Sequence, residues 1–218
     1  MSADGIFVTG TGTEVGKSVV SAVIARTAAA AGSRVAVFKP AVTGLEDEGE
    51  GDHELLKRAS GSEQAKAEIA PYRYAPAVSP HLAAELAGEE IDRERLLTAA
   101  RVAADGADAI VCEGVGGLMV PLAREYLVRN LAAELGYPIV IAASPGLGTI
   151  NHTLLTIEAA WAAEIEVRAV VLTPWPAEPS RMELSNRDTV ALLGGVDVEV
   201  LPEIDLADPE GWPPLDLL

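Results

Sequence analysis

The residues best suited to chemistry stand in a glycine-rich stretch near the amino terminus. Residues 10–18 read GTGTEVGKS and follow an apolar run, Ile6–Val8, that predicts a buried strand. Val19–Ala25 then predicts a helix. A strand, a glycine-rich loop ending in Gly-Lys-Ser and a helix together predict a phosphate-binding loop, because N–H groups of the loop and of the helix start converge on an anion. Lys17 is predicted to reach the β- and γ-phosphates of a nucleotide, and the Ser18 hydroxyl to bind Mg²⁺.

One position departs from the common form of such loops. Thr11 stands where the first glycine of the pattern is usual, and Gly10 and Gly12 flank it. An ordinary glycine-rich turn between a strand and a helix is the alternative interpretation. The context of strand, loop and helix favours the phosphate site, which predicts binding of a nucleoside triphosphate without specifying the reaction.

Further polar residues stand at the ends of other apolar runs. Lys39 ends one predicted strand and Thr43 follows it, while Glu113 follows another and opens a glycine-rich turn. Ligands of parallel sheets lie beyond the carboxyl ends of the strands, so these side chains are expected at one edge of the sheet. Glu113 is then expected to be a Mg²⁺ ligand, and Lys39 to offset the charge of a polyphosphate. Asp52 is a weaker candidate ligand by position alone, because capping the helix that it starts would explain its place.

The elements that must position these residues alternate between strands and helices. Strands are predicted over residues 6–8, 34–39, 107–112, 138–143, 167–172 and 196–201. Helices are predicted over residues 19–25, from 52 onward, and over 92–104, 126–135, 149–163 and 180–193, whereas residues 43–51 and the tail from Pro202 are predicted to be irregular. Most of the strands are continuous apolar runs, which is typical of a parallel sheet covered on both faces. The predicted fold class is therefore α/β, with one domain over residues 1–218: a doubly wound parallel sheet with helices on both faces, of the P-loop NTPase type.

Composition narrows the possible partners and the compartment. The 218 residues carry a net charge of −17, which argues against nucleic acid and against an anionic membrane surface as partners. No apolar stretch of about 18 residues is present, so no membrane span is predicted. The one cysteine, Cys112, cannot form an intrachain disulfide, which fits a reducing cytoplasm.

Four other polar residues have less specific predictions. His53 is expected to be solvated on its helix. His81 and His152 are each expected to be either a packing group at a helix start or a catalytic group. The spacing of the histidines does not suggest a metal site. Asn186 is expected on an exposed helix face.

Five segments are spread along nearly the whole chain and read VTGTGTEVGKS at residues 8–18, FKPAVTG at 38–44, SPH at 79–81, CEGVGG at 112–117 and GTINHTLLT at 148–156. Together they resemble the corresponding segments of dethiobiotin synthetases. The first is shared with many P-loop ATPases, whereas the combination is specific. The resemblance implies an ATP-dependent enzyme of biotin synthesis that acts on 7,8-diaminononanoate and CO₂. One amine becomes a carbamate, whose oxygen attacks the γ-phosphate to give a carbamic-phosphoric anhydride; the other amine then closes the cyclic urea of dethiobiotin and expels phosphate.

The resemblance also implies roles for individual residues. Lys17 and Lys39 are the implied catalytic lysines, and Ser18, Asp52 and Glu113 the implied Mg²⁺ ligands. The implied nucleotide contacts are Thr13, Glu14, Val15, Gly16, Lys17, Ser18, Val19, Glu113, Gly114, Val115, Gly116, Thr173, Pro174, Pro202, Glu203 and Ile204. The implied substrate contacts are Thr43, Gly148, Thr149, Ile150 and Asn151. The family forms homodimers in which the helix start at residues 148–151 of one subunit helps to hold the substrate carboxylate for the other, a role that suits a helix N-terminus.

Two positions depart from what some members of the family have. Thr173 and Pro174 stand where an Asn-Asp pair reads adenine, and one hydroxyl with no proline N–H predicts weak discrimination between nucleotide bases. Asn186 stands where a tyrosine reaches the substrate, so the far end of the substrate has no assigned contact.

Two alternative functions stay open at this point. One is another amide-forming or kinase-like enzyme of the P-loop superfamily that acts on a different small acid. The other is a dimeric ATPase switch of the kind that partitions cargo or positions complexes. Such switches commonly carry a second lysine within the loop and use basic or amphipathic surfaces, and this acidic sequence shows neither.

Overall fold

A six-stranded parallel sheet forms the centre of the protein in a computed structural model that describes residues 3–45 and 51–218. The described strands are β1 (Asp4–Gly10), β2 (Val35–Phe38), β3 (Ala41–Val42), β4 (Tyr72–Arg73), β5 (Ala109–Glu113), β6 (Pro121–Ala123), β7 (Tyr126–Leu127), β8 (Ile139–Ala143), β9 (Val167–Trp175) and β10 (Asp197–Pro202). The described helices are α1 (Lys17–Ala30), α2 (Asp52–Ser60), α3 (Lys66–Ile69), α4 (Pro80–Leu86), α5 (Arg93–Ala104), α6 (Val128–Leu135), α7 (Thr149–Trp161) and α8 (Arg181–Gly194), and a 3₁₀ turn covers Pro209–Gly211.

Neighbouring strands of the large sheet are far apart in sequence. Their order is β10-β9-β8-β1-β5-β2, and every adjacent pair is parallel. Phe7 of β1 lies opposite Cys112 of β5 on one side and Ile139 of β8 on the other. Because all strands run in one direction, the loops that follow them open at the same edge of the sheet. The predicted fold class is confirmed.

Apolar side chains cover both faces of this sheet. Ile6 and Val8 of β1 pack on the face covered by α1 and α2, whereas Phe7 packs in the core that includes α5, α6, α7 and α8. Successive side chains of a strand point to opposite faces, so a strand buried on both sides needs an unbroken apolar run. Burial on both faces of the sheet is therefore the reason that the predicted strands are continuous apolar runs.

Several short elements flank the edge where the loops open. β3 pairs with β4 in parallel, and β6 pairs with β7 antiparallel. These strands, with α3 and α4, were missed because such short segments show no usable hydrophobic period. The helix predicted from Tyr126 begins instead at Val128, since Tyr126 and Leu127 form β7. Residues 46–50 of the predicted loop lie outside the described residues.

The carboxyl-terminal segment packs back against α1. Trp212 and Leu215 are buried in the core cluster beside α1 and α2. The Leu215 N–H donates to Thr27 Oγ1 at 2.9 Å, and Trp212 Nε1 donates to Asp205 O at 2.7 Å. This largely irregular segment is therefore part of the core. Across residues 3–45 and 51–218, no helix is long and apolar enough to cross a membrane.

Candidate active site

The segment between β1 and α1, residues 11–16, forms the predicted phosphate loop. Gly16 directly precedes α1 with a φ of 88°, and Glu14 has a φ of 59°, both in the left-handed region. Lys17 Nζ turns back to donate to Gly12 O at 2.7 Å, so the ammonium group lies over the loop. The loop thus brings a cation and the N–H groups of a helix start to one place, an arrangement that suits an anion.

Thr173 of β9 packs against this loop from the side. A Cβ atom built on Gly16 would overlap Thr173 Cγ2. Thr173 itself is buried. Two features therefore require glycine at position 16: its left-handed backbone conformation and the close approach of the Thr173 methyl group.

Four side chains from different elements meet beside the loop and are called here the carboxylate–lysine cluster: Ser18, Lys39, Asp52 and Glu113. Ser18 Oγ lies 2.8 Å from Asp52 Oδ1 and 2.8 Å from Glu113 Oε1. Lys39 Nζ lies 2.5 Å from Glu113 Oε1 and 2.7 Å from Asp52 Oδ2. Ser18 is in α1, Lys39 follows β2, Asp52 opens α2 and Glu113 ends β5. The fold brings the three predicted metal ligands to the predicted catalytic lysine.

Burial and neighbouring charges shift the pKa values of the side chains in this cluster in different directions. Burial disfavours the Lys39 ammonium, but the charges of Glu113 and Asp52 outweigh it and raise the pKa of Lys39. Burial raises the pKa of Glu113, and Lys39 offsets this only in part. Burial opposes ionisation of Asp52 as well, yet Lys39 and Ser18 together lower its pKa. Both carboxylates therefore favour the charged form of Lys39.

Lys17 has the opposite shift. Burial lowers its pKa; the attraction of Glu113 opposes this, and the repulsion of Lys39 adds to it. A phosphate group placed over the loop would reverse the shift, because an anion favours the charged form of the lysine.

The cluster fits a divalent cation. The Ser18 hydroxyl has a single proton and can donate to one of its two carboxylate neighbours at a time. Glu113 Oε2 is buried without a hydrogen-bond partner, which is rare for a native acceptor. Mg²⁺ takes one or two carboxylates with hydroxyl, phosphate and water oxygens. Within the described ranges, no group of three or more His, Cys, Asp or Glu side chains could hold a metal.

A cleft of about 690 Å³ opens beside the cluster. The predicted site residues that line it are Thr13, Glu14, Gly16, Lys17, Ser18, Val19, Lys39, Thr43, Asp52, Val115 and Gly116. Ser79 and Pro80, at the start of α4, line the same cleft. No role was predicted for them, although their SPH segment was one of the five that carried the family resemblance.

Other predicted contacts lie outside this cleft. Val15 and Thr149 line a separate cavity of about 340 Å³, together with residues 11–13 and His152. Gly148 precedes α7 with a φ of 92°, and Ile150 and Asn151 belong to the first turn of that helix. The remaining predicted contacts are Gly114, which directly follows β5; Thr173 and Pro174, which lie in β9; and Pro202, Glu203 and Ile204, which end or follow β10.

Two predictions about α2 were wrong. Asp52 does not cap this helix: Gly51 occupies the N-cap and Asp52 is the first helical residue. Its carboxylate therefore faces Ser18 and Lys39. His53 is 4% exposed rather than solvated. Its ring packs so closely on Gly51 that a Cβ there would lie 2.9 Å from the ring.

The prediction for Asn186 was also wrong. The side chain is 8% exposed, and Nδ2 donates to Pro145 O at 2.9 Å and to Gly146 O at 3.1 Å. One signal was available in the sequence. The apolar residue Val190 lies one helical turn further on, so it shares a helix face with Asn186, and this face is buried in the structure.

Known proteins are similar in sequence to this chain over most of its length. The family model described as an AAA domain matches residues 4–209. A protein of Rhodococcus jostii (strain RHA1) named ATP-dependent dethiobiotin synthetase BioD is 42% identical over 88% of this chain and 83% of its own length. Another of that name, from Anaeromyxobacter sp. (strain K), is 40% identical over 87% of this chain and 89% of its own length.

The chain belongs to the dethiobiotin synthetase family. A third relative of the same name, from Rhodococcus erythropolis (strain PR4 / NBRC 100887), is 40% identical over 87% of this chain and 83% of its own length. The dethiobiotin synthetase resemblance that the five segments carried is thereby confirmed.

Proposed function

We propose that this chain is an ATP-dependent ligase that joins CO₂ to 7,8-diaminononanoate and closes the ring of dethiobiotin, with release of ADP and phosphate. Relatives that carry this enzyme name over most of the chain support the reaction. The observation that carries the proposal is the Lys39 ammonium held between Asp52 and Glu113 at the wall of a cleft beside the phosphate loop. The relatives' names do not favour the alternative, a partitioning ATPase.

The phosphate loop and Lys17 bind the triphosphate of ATP. The loop and the start of α1 present N–H groups, and Gly12 O holds the Lys17 ammonium over them. Burial lowers the pKa of Lys17, so its charge is most favourable once a phosphate supplies a counterion. Binding of ATP therefore favours the charged form of this side chain.

Lys39 acts as a fixed cation and not as a base, because its pKa is raised by two carboxylates. It stabilises the carbamate formed on one amine of the substrate. It also stabilises the negative charge that develops when the carbamate oxygen attacks the γ-phosphate. The placement of an ammonium before the reaction begins is what makes such stabilisation effective.

Ser18, Asp52 and Glu113 hold Mg²⁺ in this proposal. When bound, the ion neutralises phosphate oxygens and orients the chain of phosphates. Two observations support this assignment. Glu113 Oε2 is buried without a hydrogen-bond partner, and the Ser18 hydroxyl has one proton but two carboxylate neighbours.

The diamine end of the substrate lies in the 690 Å³ cleft, with Thr43 on its wall. Its carboxylate binds at the start of α7, residues 148–151, of a second subunit in a homodimer. The first N–H groups of a helix suit an anion. Leu147, directly before this segment, and Leu155, one helical turn beyond it in α7, are exposed apolar side chains, which supports a contact between copies here.

The remaining assignments follow from the family and from chain composition. Thr173, Pro174 and residues 202–204 are the proposed walls of the base site. The chain is proposed to act as one domain in the cytoplasm, where its buried thiol, Cys112, stays reduced.

The deciding experiment is detection of the product by mass spectrometry. The protein is incubated with ATP, Mg²⁺, ¹³C-bicarbonate and 7,8-diaminononanoate, and labelled dethiobiotin is expected. Lys39→Met is expected to abolish the product, whereas Lys66→Met, which changes an exposed lysine of α3, is the matched control. Absence of labelled product from the wild-type protein contradicts the proposal. ATP hydrolysis that responds to DNA or vesicles instead of the diamine supports the switch.

A further inference from the structure

Asn186 of α8 is a buried amide that holds one loop. Its Nδ2 group donates to Pro145 O at 2.9 Å and to Gly146 O at 3.1 Å. The NH₂ group of asparagine has two N–H donors, and both are used on adjacent carbonyls. Two bonds from one planar group fix the orientation of the loop as well as its distance from α8.

The loop that Asn186 holds, residues 144–148, leads directly into α7. The Thr149 N–H donates to Gly146 O at 3.3 Å, so Asn186 and the first residue of α7 bind the same carbonyl. Gly148 precedes the helix in the left-handed conformation. Because the first N–H groups of a helix have no partner within it, this loop determines where they point.

We propose that Asn186 is a positioning residue for the substrate carboxylate: by fixing residues 144–148, it directs the N–H groups at the start of α7 toward that group. This inference rests on the proposed function, in which residues 148–151 bind the carboxylate. Asn186 acts through the loop and not by contact, since its donors are engaged by Pro145 and Gly146. Its loss therefore weakens recognition of the carboxylate without changing the ATP site.

The test compares Asn186→Ala and Asn186→Leu with Ser185→Ala, a matched change at the exposed neighbouring residue. Leucine keeps the branched shape of asparagine without its hydrogen bonds. Each protein is assayed with 7,8-diaminononanoate and with its methyl ester, which keeps both amines and lacks the charge. For both Asn186 variants, kcat/KM for the acid is expected to fall about tenfold, through KM, as the loss of one to two hydrogen bonds predicts. The kcat/KM for the ester and the KM for ATP are expected to stay near those of the wild type.

Equal losses for acid and ester would mean that Asn186 only supports the fold, and unchanged kinetics would mean that the loop needs no such support. Either result overturns the inference. Hydrogen exchange of residues 144–152 keeps the test readable if a variant is unstable: exchange faster than in Ser185→Ala supports the inference, and equal exchange overturns it. If the wild type makes no dethiobiotin, the proposed function fails and the carboxylate role fails with it. If the wild type makes dethiobiotin and both Asn186 variants keep its preference for the acid over the ester, the inference is rejected and the proposed function stands.

Discussion

Replacement of Gly16 by alanine is expected to strain the phosphate loop in two separable ways. The φ of 88° costs a residue with a side chain about 1–2 kcal/mol. The added Cβ also overlaps Thr173 Cγ2, and crowding in a packed interior costs about 1–3 kcal/mol. Gly16→Ala is therefore expected to lower the free energy of unfolding by about 2–5 kcal/mol.

Removal of the Thr173 methyl group separates the two effects. In Thr173→Ser the overlapping carbon is gone, and the nearest remaining Thr173 atoms lie 3.7 and 3.9 Å from the added Cβ. Thr173→Ser alone loses one buried methyl group, which costs about 1 kcal/mol. In the double variant the crowding should disappear and the backbone strain should remain. The combined loss should then be smaller than the sum of the single losses by about 1–3 kcal/mol.

Urea unfolding of the wild type, both single variants and the double variant measures this coupling directly. Gly12→Ala is the matched control, because it lies in the same loop and its Cβ would have no atom within 4 Å. A change below about 0.5 kcal/mol is expected for it. Additive losses from Gly16→Ala and Thr173→Ser would refute the packing of Thr173 on the loop. Unchanged affinity of Gly16→Ala for ATP, measured by calorimetry, would refute the role of this loop in binding phosphate.

Three further predictions concern charges and base choice. Lys17→Ala is expected to abolish ATP-dependent product formation with little change in thermal unfolding; turnover near that of the wild type contradicts the assignment. Glu113→Gln is expected to reduce Mg²⁺-dependent turnover at least about a hundredfold. Burial raises the pKa of Glu113, so the folded protein favours the neutral carboxyl form; the stability this gives is fully present below the ordinary pKa of 4.5 and is lost as pH rises through the folded value. The glutamine variant should therefore be at least as stable in urea at pH 7, with the gap closing below pH 4.5. ATP, GTP, CTP and UTP are expected to support turnover within about tenfold of one another, because Thr173 packs on Gly16 and Pro174 has no N–H; a strong preference for ATP in parallel assays contradicts this.

The sheet and its loop could be predicted because local spacing encodes them. The apolar run of β1, the Gly16-Lys17-Ser18 sequence and the helix after it are contiguous, and each carries its own physical signal. Continuous apolar runs also identified β5 and β8 as strands buried on both faces. The polar residues after these strands could then be assigned to one edge without knowledge of the strand order.

Burial of polar groups by distant segments could not be predicted in this way. The 2.5 Å contact of Lys39 with Glu113 depends on β2 lying next to β5, which no local pattern specifies. Glu113 is fully buried, although its place before a glycine-rich turn is typical of an exposed carboxylate. His53 and Asn186 have charged sequence neighbours, so an exposed helix face was the reasonable expectation. Their burial comes from contacts with Gly51 and with residues 145–146.

Synthesis on the ribosome delivers the strands of this sheet out of their spatial order. β1 is made first, but its two neighbours, β5 and β8, end only at Glu113 and Ala143. Until β5 has been made, the strand Asp4–Gly10 lacks both of its neighbours in the sheet. Chains that depend on such distant pairings fold slowly, with apolar surface exposed. The phosphate loop is also complete only after Thr173 has emerged to pack on Gly16. A nascent chain arrested before residue 109 is therefore expected to associate with holding chaperones and not to retain ATP.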